Sequence, residues 1–115
     1  MPSGDAVEVA QSPIIVFVTA SSAEEAERIG RLLVESRLAA CANILSGVQS
    51  IFWWEAKLSA ANEWLIVFKT TLDLFPQLET MVRQHHSYTV PEIIGLPIVV
   101  GSAAYLDWIR KETFK

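Results

Sequence analysis

From Asn43 to Glu55 the sequence reads as a single extended run, too long for the domain that carries it. Ile44, Val48, Phe52 and Trp54 share one parity, and Leu45, Gly47, Ile51 and Trp53 share the other. The segment Ala56 to Asn62 reads as a polar turn, and Glu63 to Thr70 (Glu-Trp-Leu-Ile-Val-Phe-Lys-Thr) as the returning strand of an antiparallel hairpin. Thirteen residues at about 3.3 Å each span about 40 Å, whereas a globule of 115 residues has a radius of gyration near 13 Å, a rough figure. The arm therefore overhangs its own domain while carrying Trp53, Trp54 and Trp64. Such an aromatic edge pairs or aggregates unless another chain covers it, so the hairpin predicts intermolecular pairing. The alternative is a hairpin that bends at Gly47 and folds back on its own core. Gly47 inside a strand pattern predicts a bulge or bend in either case.

The rest of the chain supplies the domain to which the arm is attached. Ile14-Ile15-Val16-Phe17-Val18 is β-branched and aromatic without alternation, as a strand at the centre of a sheet would be. Ser21-Ser22-Ala23-Glu24-Glu25 holds two overlapping capping boxes and predicts a helix with Ala26, Ile29, Leu32 and Leu33 inward, ending near Ser36-Arg37. Leu38 to Ala42 is a small, apolar return into the sheet. Asp73 is placed to cap a second helix, with Pro76 in its first turn and Leu74, Phe75, Leu78, Met81 and Val82 as its apolar stripe. Glu92 to Val100 is apolar again, but Pro97 makes it an edge or interrupted strand. A last helix follows Gly101, with Ser102 as cap and Tyr105, Trp108 and Ile109 inward. The order β-α-β-β-α-β plus a terminal helix predicts an α+β, ferredoxin-like fold with both main helices on one sheet face. The other face is then bare and needs a neighbouring subunit.

Composition narrows the function. Apolar residues make up 51% of the chain and charged ones 19%, a balance that suits large aliphatic interfaces. A net charge of −4 with scattered Lys and Arg argues against nucleic acid as a partner. One cysteine excludes an intramolecular disulfide and suits a reducing compartment. The first twelve residues carry no signal-peptide pattern and read as a flexible tail (1–12) before a single domain (13–115). No apolar run is long enough to span a membrane, so a cytoplasmic protein is expected. There is no glycine-rich phosphate loop and no nucleophile elbow, which leaves no catalytic residues and no organic cofactor to expect.

Chemistry-bearing side chains concentrate in His85-His86-Ser87-Tyr88-Thr89-Val90-Pro91-Glu92-Ile93-Ile94-Gly95-Leu96-Pro97. Pro91 keeps Val90 extended, so His, Tyr and Glu are presented on a stiff connection. The bland alternative is a polar helix-to-strand turn. Adjacent histidines diverge by about 100° on a helix, so His85 and His86 chelate one ion only at a helix end or with a third ligand.

These blocks resemble the CutA family of divalent-cation tolerance proteins. The matching segments are Leu38 to Ile44, Ser50 to Leu58, Lys69-Thr70-Thr71, His85 to Pro97 and Tyr105 to Ile109. The resemblance implies a PII-like homotrimer with wrapping hairpins and a link to copper and other divalent cations. On that reading His85, His86 and Glu92 form a metal site for Cu(II) or another divalent cation, while Trp54, Lys69 and Tyr88 line a ligand cleft. Some copper-binding relatives use a first-strand cysteine where this chain has Val18, which leaves imidazole to favour Cu(II). Ala56 stands where relatives often have Gly in the hairpin turn. The alternatives are a small-ligand or scaffold protein of the PII type, or an acid–base enzyme using His86 or Tyr88 with Glu92.

Overall fold

In the computed structural model, whose described residues are 9–113, the strands are β1 (Pro13–Ala20), β2 (Cys41–Trp54), β3 (Lys57–Thr71) and β4 (Ile93–Pro97). The helices are α1 (Ala23–Glu35), α2 (Phe75–His85) and α3 (Ala103–Glu112), with a short 3-10 turn at Leu72–Leu74. The sheet order is β2-β3-β1-β4 and every neighbouring pair is antiparallel. This is the ferredoxin-like arrangement expected from the element order. Most of the expected loose tail lies outside the described residues. Of its last part, Gln11 accepts from Arg110 and Ser12 accepts from the Leu72 N–H.

The core lies between one sheet face and helices α1 and α2. Ile14, Val16, Val18 and Ala20 of β1 and Ile66, Phe68 and Thr70 of β3 are buried there. Ala26, Ile29 and Leu33 of α1, with Leu78 and Val82 of α2, close over them. Helix α1 ends in a Schellman motif: the Leu38 N–H reaches Leu33 O and the Arg37 N–H reaches Val34 O, with Arg37 at φ 65°. Two expected details differ. The Asp73 carboxylate accepts from the Thr71 hydroxyl inside the 3-10 turn, and α2 starts after Leu74 with no side-chain cap, because Pro76 already removes one orphan donor. On α3 only Ile109 is buried; Tyr105 and Trp108 remain 43% and 39% exposed, their rings packed against each other at 5.4 Å rather than into the core.

Strand pairing fixes which side chains share the helix-free face. Ile15, Phe17 and Thr19 of β1 oppose Lys69, Val67 and Leu65 of β3, and Phe17 and Ile15 also oppose Ile94 and Leu96 of β4. Ile94 and Leu96 are 50% and 41% exposed, so this face is bare within one chain.

The arm projects as its length requires. β1 pairs with β3 only from Trp64 onward, so Lys57 to Glu63 extend beyond it, about 20 Å at strand rise. The molecule measures 50 × 27 × 26 Å with a radius of gyration of 15.2 Å. The turn is shorter than the sequence predicts. Trp54 pairs with Lys57, leaving only Glu55 and Ala56, and β3 begins at Lys57 rather than Glu63. Lys57 to Asn62 mix polar and apolar residues without a buried face because, within one chain, neither face of the arm has a core to meet. Both turn residues have positive φ, 50° and 64°, as a tight I′-type hairpin requires.

The predicted bulge is present and has an effect that parity counting missed. Leu45 pairs with Leu65 and Val48 with Glu63, so Ser46 and Gly47 (φ 79°) oppose Trp64 alone. One added residue inverts the alternation. Val48, Ser50, Phe52 and Trp54 therefore share the helix-free face with Leu45, whereas Ile44 faces the helix side.

Candidate functional site

The stretch after α2 is held by the start of α1. Ser22 caps α1 through its hydroxyl, which accepts the Glu25 N–H at 3.1 Å. The Glu25 carboxylate reaches back to the Ser21 N–H and hydroxyl, both at 2.9 Å, and across to the Ser87 N–H at 2.8 Å. Burial of Glu25 opposes its charge, but the hydrogen bonds from Ser21 and Ser87 outweigh it and hold the carboxyl down to about 2. Arg28 adds a bond from its guanidinium to His85 O at 2.9 Å.

The two histidines diverge at the helix end. His85 is exposed, and its Nδ1–H donates to Met81 O at 2.9 Å, one turn back, leaving Nε2 as its lone-pair nitrogen. The His86 side chain is fully buried. Its Nε2–H donates to the carbonyl of Thr19 at 2.7 Å, which makes Nδ1 the acceptor of the Tyr88 N–H at 3.0 Å. Both nitrogens of His86 are therefore committed, and a metal at either would leave a buried backbone group unpaired. Among the described residues no group of three or more His, Cys, Asp or Glu side chains could hold a metal ion. Within one chain, His85, His86 and Glu92 do not fit a chelated ion. Val18 is fully buried among core residues, so that strand position presents nothing to this region.

His86 serves to position Tyr88. The rings lie 4.8 Å apart at 44°, and the Tyr88 hydroxyl donates to Glu63 Oε2 at 2.8 Å. Burial, then the hydrogen bond and charge of Glu63, push the Tyr88 phenol up to about 12. Desolvation, then the Glu63 charge, raise Glu92 above the ordinary carboxylate range. These groups line a cleft of about 750 Å³ between the 87–92 connection and the arm, with Thr19, Ser50, Phe52 and Trp54 on its walls.

Of the residues expected at the site, Tyr88, Glu92 and Trp54 line this cleft, while His86 supports it from behind and His85 lies on the surface. Lys69 is six positions along β3 from Glu63, about 20 Å at strand rise. It donates instead to Asn43 Oδ1 and lies 4.0 Å from Cys41 Sγ. The sequence reading missed Glu63, taken only as the first residue of a strand. Its signal was a lone carboxylate preceding Trp64-Leu65-Ile66-Val67-Phe68. Glu25 was read as a cap alone, and nothing local announces its link to Ser87, 62 residues away.

Comparison with known proteins agrees with this architecture. Residues 14–112 match the family model described as CutA1 divalent ion tolerance protein. The chain is similar to the divalent-cation tolerance protein CutA of Thermus thermophilus, 46% identical over 99 residues, covering 86% of this chain and 96% of that protein. A solved structure of the Thermus thermophilus divalent cation tolerance protein superposes with a TM-score of 0.87 at 45% identity, covering 89% of this chain and 99% of that one. Protein CutA 1, chloroplastic, of Oryza sativa is 39% identical over 100 residues, which span 87% of this chain but only 56% of the rice protein. The chain belongs to the CutA1 divalent ion tolerance family.

Proposed function

We propose that this chain acts in divalent-cation tolerance as a cytoplasmic homotrimer, with the cleft of Tyr88, Glu63 and Glu92 as its ligand site. One observation carries the assembly. The arm projects past its own sheet with Ile51, Trp53 and Leu58 at 68%, 72% and 64% exposure, while Ile94 and Leu96 leave the helix-free sheet face bare. An arm from one chain laid on the bare face of the next is a head-to-tail contact, which must close into a ring to end. Three subunits is the ring the family resemblance implies.

Metal contact is assigned to His85, whose Nε2 keeps its lone pair, with further ligands from a neighbouring subunit and Cu(II) favoured by imidazole. The acid–base enzyme reading finds less support, since both ring nitrogens of His86 are committed to the Thr19 carbonyl and the Tyr88 N–H. Sedimentation equilibrium at micromolar concentration is expected to give a three-chain mass, and a folded, stable monomer overturns the proposal.

A further inference from the structure

We infer that the cleft takes an elongated organic amine, its ammonium head between Glu63 and Glu92 and its apolar body along Phe52 and Trp54. This deepens the reading of the cleft as the ligand site and rests on it. Glu63 is 7% exposed and, with Glu25, is one of two buried carboxyl side chains among the described residues. Its Oε2 takes the Tyr88 hydroxyl, while Oε1 accepts from no described residue. That oxygen is not sealed inside the protein, because no buried side-chain oxygen among the described residues lacks a partner. It is therefore open to the cleft that Glu63 lines.

No described lysine, arginine or histidine lies within ion-pair distance of Glu63. Arg28 is engaged by His85 O and Glu25, and Lys69 lies far along β3. Its open oxygen is therefore left to water or to a ligand, since no cation among the described residues reaches it. Glu92 adds a second carboxyl group to the same cleft. The end of the cleft near Tyr88 thus has two carboxyl groups and, among the described residues, no cationic side chain.

Three observations favour an organic cation over a bare metal ion. No three-ligand group is gathered among the described residues, whereas hard divalent ions take six or more oxygens. A cleft of about 750 Å³ has room for a molecule rather than an ion. The bulge at Ser46-Gly47 sets Ser50, Phe52 and Trp54 on the same face as Glu63, so an apolar, aromatic wall runs outward from the acidic end. An ammonium group held by carboxylates beside the Tyr88 ring, with its chain on Phe52 and Trp54, satisfies both ends.

Calorimetric titration of the full chain with 1-hexylamine, 1-hexanol, methylamine and magnesium chloride tests this. Hexylamine is expected to bind, with hexanol and methylamine each weaker by about tenfold or more. Glu63→Gln and the more exposed Glu92→Gln are each expected to weaken hexylamine by about tenfold while leaving hexanol unchanged. Equal binding of hexylamine and hexanol overturns the cationic head and leaves a ligand cleft. Displacement of hexylamine by magnesium overturns it in favour of a metal site. If no organic probe binds the folded protein, the ligand-cleft reading fails as well.

Discussion

Replacing Glu25 with Gln removes a charge while keeping the side chain's size, and its cost should depend on pH in a defined way. The carboxyl falls from an ordinary 4.5 to about 2 in the folded chain. A depressed value means that folding favours the ionised form, so the contribution is fully present above 4.5 and is lost as pH falls toward 2. The difference of about 2.5 units, at 1.36 kcal/mol each, amounts to about 3 kcal/mol at neutral pH. The loss should fall on the Ser87 N–H and on Ser21, which would face an amide in place of a carboxylate. Urea unfolding of both proteins at one fixed chain concentration measures the gap. It is expected to be about 3 kcal/mol at pH 7, about 2 at pH 3.5 and under about 1 at pH 2.5. A gap that stays constant with pH would refute the argument, since the carboxylate would then act through shape rather than charge.

Ala56→Gly should stabilise the hairpin by about 1 kcal/mol, since Ala56 occupies φ 64°, and should raise the melting temperature by about 4 °C. His85→Ala should lose Cu(II) binding by calorimetry. His86→Ala should keep the stoichiometry of the parent but lose about 2 kcal/mol of stability, because it deletes two buried hydrogen bonds. If His86→Ala alone loses the metal, the assignment to His85 is wrong. The phenolate absorbance of Tyr88 should emerge only near pH 12 in the parent and earlier in Glu63→Gln, still above the ordinary 10 because burial remains. Trp54→Ala should leave the sedimentation mass unchanged, because the half-exposed ring lines the cleft beside Glu63, and a lower mass would place the ring under a neighbour instead.

The architecture was legible because its signals are local and repeated. The Ser22 cap, the stripe Leu74-Leu78-Val82 and the Pro97 edge strand each follow from spacing within one element. The hairpin's reach was legible for the same reason, but its turn was not. A strand exposed on both faces obeys no hydrophobic alternation, so Lys57 to Asn62 looked like loop. The site was legible only in part. Tyr88, Glu92 and Trp54 were identified, but the meaning of His86 depends on the Thr19 carbonyl 67 residues earlier. Two adjacent histidines suggest a ligand pair until the partners of each nitrogen are known. Glu63 was invisible because a carboxylate at a strand's polar end is usually solvated, and only the 87–92 connection folding over it makes it buried.

The bulge at Ser46 and Gly47 bears on how this arm can change over generations. Removing Gly47 would leave Ser46 alone opposite Trp64 and Val48 still opposite Glu63, so every pair distal to the bulge, and the face each side chain takes, would stay as it is. Phe52 and Trp54 would keep their places opposite Ser59 and Lys57, and only the bend and added twist of the bulge would go. The bulge is thus a point at which the arm can lose a residue over generations and still present the same surface, while the β3–β1–β4 pairing beneath it stays undisturbed.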